Sequence, residues 1–230
     1  LAAEAVRATA EKRALSQANA LVHKAVFDGL CGGMLQETET ILALALAREH
    51  TMPLYVAAGS YLNGLAQWRA GDRTGGLAEM RRGWTLLHEN DCYLCEPFWG
   101  MQVAVANAEA GQLESGLEIL RELIAWTEQS GQHWLDAELH RSRGELWSRL
   151  GPPGISPAEE AFRTALEIAQ VQQAKTFALR SAVGLARLYS ISGRAASISE
   201  VLAPILADFD TGQDLPEIAE AESLLGKEQA

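Results

Sequence analysis

Glycine recurs along this chain at a nearly fixed interval of about 40 residues. The recurring glycines are Gly32, Gly71, Gly111, Gly151 and Gly193, with gaps of 39, 40, 40 and 42 residues. Seven positions before each glycine there is a small residue, namely Ala25, Gly64, Ala104, Gly144 and Ala186. This period indicates a helix–turn–helix repeat, in which glycine ends one helix in the left-handed conformation and the small residue lets a neighbouring helix approach.

An insertion explains the one irregularity in the spacing. The proline-rich segment 152–157 lengthens the turn after Gly151 and accounts for the longer last gap. When two extra residues are allowed, Ala158 and Phe162 fall at the small and large apolar positions that Gly76 and Met80 hold in an earlier repeat. One insertion therefore restores the register of the fourth repeat.

The composition is typical of helices, because Ala, Leu and Glu dominate and alternating β-branched runs are absent. We therefore predict an all-α superhelix of about five helix pairs with a C-terminal capping helix, forming one domain over residues 1–230. The pairs are predicted at about 15–30 with 35–50, 54–70 with 74–89, 96–110 with 113–129, 132–150 with 157–172, and 175–192 with 195–208. An earlier helix should end near 13, the cap should cover 214–226, and Pro204 should kink or shorten its helix.

Charge and hydropathy narrow the choice of partner and compartment. The net charge of −11 argues against a nucleic-acid backbone or an anionic membrane, and no apolar run approaches the ~20 residues of a membrane span. Much of the negative excess lies in 208–230, where seven acids stand against one lysine, and we interpret this segment as a solvated capping helix. Three cysteines in a helical protein suggest reduced thiols and a cytoplasmic location. The chain begins within a helical pattern and without methionine, so we expect a fragment of a longer protein.

The residue types that carry chemistry do not form a recognisable site. Cys92 and Cys95 form a C-x-x-C beside His88, but zinc needs four ligands and nothing adjacent completes the set. The histidines are scattered, without a nucleophile and an acid at motif spacing. The chain also has no glycine-rich phosphate loop. We predict no catalytic residue, no metal site and no cofactor.

The periodicity and the residues at fixed positions in the helices resemble the tetratricopeptide repeat (TPR). In that repeat the first helix carries a glycine and the second an Ala-x3-aromatic-x2-Ala pattern. Gly64 and Gly144 match the glycine of the first helix. The pattern of the second helix is matched by Ala158, Phe162 and Ala165. The period of about 40 residues exceeds the usual ~34, as in the TPR-like arms of large bacterial signalling ATPases.

The C-terminal half resembles a narrower group of proteins. The matching runs are AELHRSRGEL at 137–146, ALEIA at 165–169, ALRSA at 178–182, LARL at 185–188 and LAPI at 202–205. They are similar to the helical region of bacterial proteins that join a class III adenylate or guanylate cyclase, a P-loop signalling ATPase and a TPR array. The resemblance implies a sensory or regulatory arm that contacts the upstream domains of its parent chain. The alternative is the sensor arm of a large ATPase-type transcription activator.

By analogy with the repeat family, a partner protein or peptide would bind in the groove lined by the first helices of successive repeats. The predicted groove positions are Tyr61, Leu65, Trp68, Phe98, Met101, Val105, Glu138, Arg141, Glu145, Ser148, Arg180, Val183, Arg187 and Ser190. The groove would run from an apolar half to a charged half, which suits a peptide with an apolar anchor and an acidic group.

Three alternatives remain open. Glu138, Arg141 and Glu145 have the spacing to pair with one another on one helix, and Arg180 could contact the neighbouring helix instead of a ligand. A small helical enzyme is a second possibility. A homodimer is a third, because truncating a repeat array exposes apolar helix faces.

Overall fold

The structure is a computed structural model that describes residues 2–30, 44–209 and 215–228. All regular secondary structure in these ranges is helical. The chain divides into two compact units, Leu1–Gln112 and Leu113–Ala230. The assignment of residues 1–230 to one continuous domain remains a prediction.

The helices follow the predicted order along the chain. In the first unit they are α1 (Ala2–Leu30), α2 (44–49), α3 (Pro53–Arg69), α4 (Arg73–Glu89) and α5 (Glu96–Glu109). In the second unit they are α6 (Leu113–Ser130), α7 (Asp136–Ser148), α8 (Ile155–Val171), α9 (Lys175–Ile191), α10 (Ile198–Leu206) and α11 (Pro216–Glu228). Single 3₁₀ turns precede α7, α8 and α10 at His133–Leu135, Pro152–Gly154 and Ala195–Ser197.

The N-terminal helix corrects one prediction. We expected a helix ending near 13 and a second over 15–30, but α1 runs without a break from Ala2 to Leu30. The segment between the two predicted helices contains no glycine or proline that would stop a helix, and Ala14 and Ala18 continue the buried face. The start of the predicted helix 35–50, together with Gly32, lies outside the described residues.

The recurring glycines end their helices in the way the sequence predicts. Gly71, Gly111, Gly151 and Gly193 have φ of +110°, +83°, +68° and +74°. At the end of α3, the N–H of Asp72 donates to the carbonyl of Gln67 at 3.0 Å, and that of Gly71 donates to Trp68 at 3.2 Å. These two hydrogen bonds form a Schellman motif, which satisfies the last carbonyls of the helix.

A second series of residues with left-handed backbone conformation lies at the connections between successive hairpins. Its members are Thr51, Asp91, Gly131 and Gln173, with φ of +52°, +52°, +74° and +56°. They are spaced 40, 40 and 42 residues apart, like the turn glycines. Because only one of them is glycine, this series cannot be recognised from the sequence. A side chain in this conformation is strained by its Cβ, so these connections are held by the hydrogen bonds around them.

Glycines also allow α3 and α4 to touch through their backbones. A Cβ on Gly76 would lie 2.5 Å from the backbone nitrogen of Trp68, and one on Gly83 would lie 2.5 Å from that of Tyr61. Gly64 faces Met80 in the same way, at 2.6 Å. The close approach that the sequence predicts for Gly64 and Gly76 is therefore confirmed.

In the second unit the ring of Phe162 on α8 fills the space that two glycines leave. A Cβ on Gly144 of α7 would lie 2.9 Å from this ring, and one on Gly184 of α9 would lie 2.5 Å from it. Phe162 thereby joins α7 and α9 to α8 in a core that also includes Leu179, Leu185 and residues of α10 and α11. The register proposed for the insertion is confirmed, since Ala158 and Phe162 are buried. Helix α10 is only 9 residues long and contains Pro204, as predicted.

Candidate functional site

Three helices of the second unit carry charged side chains that form two Glu–Arg–Glu rows. The first row consists of Glu138 on α7, Arg180 on α9 and Glu217 on α11. Arg180 donates a hydrogen bond from Nε to Oε1 of Glu217 at 2.7 Å, and its Nη1 lies 3.7 Å from Oε2 of Glu138. One guanidinium therefore lies between carboxylates of two different helices.

The second row repeats this arrangement two turns further along. Arg187 of α9 donates from Nε and Nη2 to the two oxygens of Glu220 on α11, at 2.5 and 2.6 Å. Its Nη1 lies 3.7 Å from Oε1 of Glu145 on α7. The hydrogen bond to Glu220 is the main reason that the pKa of Arg187 is raised, against the opposing effect of burial. This is the bidentate geometry that arginine forms with carboxylates.

Arg141 connects the two rows along α7. Its Nε donates to Oε1 of Glu138 at 2.8 Å, and its Nη1 donates to Oε1 of Glu145 at 2.6 Å. Burial alone lowers the pKa of Arg141, but the charges of Glu138 and Glu145 raise it by more, so the net shift is upward. The guanidinium is therefore held in the charged form by both neighbours.

The two rows differ in exposure. The side chains of Glu138, Arg180 and Glu217 are 4%, 13% and 21% exposed, while those of Glu145, Arg187 and Glu220 are 32%, 49% and 38% exposed. The first row is therefore part of the folded interior, where removal of one partner leaves a charge without compensation. The second row is partly exposed to water, where an ion pair forms and opens at less cost than in the interior.

A pocket of about 390 Å³ lies next to the exposed row. Its apolar floor is formed by Phe162, Gly184 and Leu188, which are buried. The remaining lining residues are Glu145, Ser148, Arg149, Arg187 and Ile191. An apolar floor with a charged rim is typical of sites that hold one side chain of a partner and fix it by polar contacts.

The charged half of the predicted groove is thus brought together as expected. Glu138, Arg141, Glu145, Arg180 and Arg187 form one network, and Ser148 lies at the pocket beside it. All five are paired within the chain, so the open alternative of internal pairing describes this structure. Partner binding by them remains a prediction. Val183 is buried and Ser190 is exposed.

Two further members of the network are not among the predicted groove positions. Glu217 and Glu220 belonged to the acidic C-terminal segment that we interpreted as a solvated cap. They lie 37 and 33 residues after the arginines they contact. A spacing of three residues puts Glu217 and Glu220 on one face of a helix, just as the spacing of seven residues does for Arg180 and Arg187, and this was the only available signal.

The apolar half of the predicted groove requires a correction. Tyr61, Leu65 and Phe98 are 0% exposed, and Trp68 and Met101 are also buried. The Tyr61 ring packs edge-on against Trp99 at 4.8 Å, and its hydroxyl donates to the Trp99 carbonyl. These five side chains belong to the core of the first unit and do not face a partner. Counting back from the turn glycine does not single out an exposed face here, because most residues of both α3 and α5 are buried. Val105 is half-buried.

A buried carboxylate follows directly after the C-x-x-C segment of the first unit. Glu96 is 4% exposed, and its Oε1 accepts a hydrogen bond from Nε1 of Trp84 at 3.0 Å and lies 2.9 Å from Nε2 of His88. Cys92 and Cys95 are free thiols that line a small, mainly apolar cavity of about 60 Å³. Burial, reinforced by Cys92, raises the pKa of the Cys95 thiol, which makes it a poor nucleophile.

Within residues 2–30, 44–209 and 215–228, no group of three or more His, Cys, Asp or Glu side chains is placed to hold a metal ion. In the same residues, no helix has both the length and the apolar character needed to span a membrane.

Comparison with known sequences gives one partial relative. No protein-family profile matches the chain. An uncharacterized protein of Rhizobium meliloti (strain 1021) is 32% identical over 130 residues, which are 55% of this chain. The chain spans only 12% of the length of that relative.

Comparison with solved structures identifies the fold. A Podosopora anserina protein with nearly identical TPR-like repeats, described as a kinesin light chain, has a TM-score of 0.57 and 16% identity, over 89% of this chain and 99% of that one. A variant of the same protein has a TM-score of 0.59 and 15% identity, over 86% of this chain and 94% of that one. At such low identity the likeness concerns the fold alone. It confirms that this chain has the all-α, TPR-like helical-repeat fold predicted from its sequence.

Proposed function

We propose that this chain is a non-catalytic protein-interaction module that binds a peptide segment of a partner at the face formed by α7 and α9. Proteins of TPR-like fold generally act by presenting such faces, although fold alone does not determine function. The observation that carries the proposal is the pocket of about 390 Å³, with buried Phe162 and Leu188 as its floor and Arg187 at its rim. A pocket of this size accommodates one large apolar side chain.

Peptide selection tests this proposal. A random peptide library would be displayed against the immobilised chain, and the enriched peptides measured by fluorescence anisotropy. Ile191 lies at the pocket rim and is 69% exposed, so Ile191→Asp should fold normally and weaken binding at least about tenfold by placing an anion at an apolar contact. Enriched peptides that bind this variant as well as the original chain would refute the site.

Val171 provides a matched control for that substitution. It is the last residue of α8, as Ile191 is of α9, and it is 85% exposed but does not line the pocket. Val171→Asp adds the same charge to the same unit and should leave peptide affinity unchanged. An equal loss with both variants would indicate a general effect of charge and would argue against binding at the pocket.

We further propose that the module is a regulatory arm of a larger cytoplasmic bacterial protein that carries a signalling ATPase and a nucleotidyl cyclase. The support is the resemblance of the runs at 137–146 and 178–182, together with a bacterial relative of much greater length. Binding at the pocket would then change the activity of upstream domains. Introducing Ile191→Asp into the full-length parent should abolish the response of its ATPase or cyclase activity to an enriched peptide. A response equal to that of the unaltered parent would exclude this role.

A further inference from the structure

The strongest contact in the exposed row is made between two helices of the chain itself. Both oxygens of Glu220 on α11 accept hydrogen bonds from Nε and Nη2 of Arg187 on α9. A planar guanidinium and a planar carboxylate joined in this way form the geometry by which arginine recognises a carboxylate of any origin. Arg187 is therefore already arranged as a carboxylate-binding group, and the carboxylate now bound comes from the same chain.

Arg187 is also part of the pocket wall, whereas Glu220 is not. The pocket is lined by Arg187 together with Phe162, Gly184 and Leu188, and the Glu220 carboxylate reaches the guanidinium from the side of α11. The apolar floor thus lies within reach of a cation whose preferred partner is an acid. A peptide with an apolar side chain next to a carboxylate complements both features.

Arg187 can exchange the Glu220 carboxylate for that of a ligand without disturbing the core. Their side chains are 49% and 38% exposed, and an ion pair in water is held only weakly. Glu145, the remaining acid at the rim, is held at 2.6 Å by Nη1 of Arg141, so it remains compensated when Arg187 changes partner. The buried first row is not involved in this exchange.

We propose that Glu220 is an internal competitor for Arg187, so that an acidic peptide segment binds at the pocket by displacing the Glu220 side chain. This inference rests on the proposed peptide-binding function and specifies its ligand and its regulation. The chain presents a carboxylate of its own at the site, and this lowers its affinity for acidic ligands. Only a segment that also fills the apolar pocket has enough binding energy to replace Glu220.

Peptides of defined sequence test the competition. Fluorescein-labelled nonapeptides would carry one leucine or phenylalanine beside two aspartates within glycine–serine flanks, and matched peptides would carry asparagines. Anisotropy titrations would use the 230-residue chain and its Glu220→Gln variant. Removal of the competitor should tighten binding of the aspartate peptides about two- to fivefold, the range that corresponds to an exposed ion pair, and should leave the asparagine peptides unaffected.

Two further variants separate competition from other effects. Glu222→Gln removes the same charge from an exposed position of α11, so it reports any effect of net charge alone. Arg187→Gln should abolish the preference for aspartate over asparagine. Equal tightening by Glu220→Gln and Glu222→Gln, or no tightening by Glu220→Gln, would overturn the inference. In that case, peptides that bind the original chain and lose affinity with Ile191→Asp would still support the proposed function. If no peptide binds, including those from the selection, the inference and the proposed function are both refuted.

Discussion

The carboxylate of Glu138 accepts a hydrogen bond from Nε of Arg141 at 2.8 Å, and both side chains are largely withdrawn from water. The other oxygen of Glu138 faces Arg180 of α9 at 3.7 Å. One buried carboxylate therefore compensates two guanidiniums on two helices. Because an uncompensated charge is far more costly inside a protein than at its surface, Glu138 should matter more for stability than any other acid of the network.

Glu138→Gln should reduce the free energy of unfolding by about 2–4 kcal/mol, because Arg141 and Arg180 lose their shared countercharge while remaining buried. The matched substitution Glu220→Gln removes an acid of the exposed row, whose partner Arg187 is 49% exposed, and should cost less than about 1 kcal/mol. Urea unfolding followed by circular dichroism would measure both. Equal costs for the two variants would contradict the distinction between a structural row and an exposed row.

His140 should make the second unit sensitive to mild acid. Burial and the charge of Arg143 lower the pKa of His140 to about 4, although Asp136 acts in the opposite direction. Nη2 of Arg143 lies 3.2 Å from Nδ1 of His140, and since arginine only donates, this nitrogen must accept and the ring is neutral. In the unfolded chain the ring binds its proton near its ordinary pKa of about 6.5.

The unfolded state therefore takes up more protons than the folded state between about pH 6.5 and pH 4. The stability that depends on neutral His140 is fully present above about pH 6.5 and is lost as the pH falls to about 4, by at most about 3 kcal/mol. His140→Gln retains an acceptor for Arg143 and should remove this part of the pH dependence. Urea unfolding curves of the original chain and the variant between about pH 4 and pH 6.5 would measure this difference. If the free energy of unfolding changed with pH in the same way for both proteins, His140 would not be the source of the pH dependence.

The left-handed residue after α8 offers a stabilising substitution. Gln173 has φ of +56°, and the N–H of the following Ala174 donates to the carbonyl of Ala169 at 2.9 Å, so the turn is a Schellman motif without its usual glycine. Gln173→Gly should raise the free energy of unfolding by about 1 kcal/mol because it relieves the strain of the Cβ. Gln170→Gly, at an exposed position inside the same helix, should lower it by about 1 kcal/mol. Thermal unfolding of both variants should show shifts of opposite sign, and a decrease for Gln173→Gly would contradict the strain argument.

The contrast between Gly193 and Gln173 shows which features of this fold the sequence reveals. Both residues end helices in the left-handed conformation, but only glycine marks that conformation in a sequence. The turns inside hairpins were therefore predicted, whereas the connections between hairpins were not. The long α1 was divided in two because a repeat pattern alone does not show where a helix continues.

The candidate site was predicted only in part for a related reason. Helical spacing placed Glu138, Arg141 and Glu145 on one face of α7, and this face does lie beside the pocket. The partnership of Arg187 with Glu220 joins residues that are 33 positions apart, so it depends on how α9 and α11 pack. Local periodicity contains no information about such packing.

The contact between α3 and α4 gives a last prediction, in which the usual effect of replacing a helical glycine is reversed. Glycine to alanine inside a helix ordinarily stabilises a protein by up to about 1 kcal/mol. At Gly76 the new Cβ would lie 2.5 Å from the Trp68 nitrogen and 2.7 Å from the Gly64 carbonyl oxygen, and neither backbone atom can move without separating the helices. Gly76→Ala should therefore destabilise the first unit by about 2 kcal/mol or more. Gly226→Ala in α11, where nothing lies within 4 Å, should instead be neutral or slightly stabilising. Urea midpoints of the two variants test the pair, and a stable Gly76→Ala protein would show that α3 and α4 do not meet through their backbones.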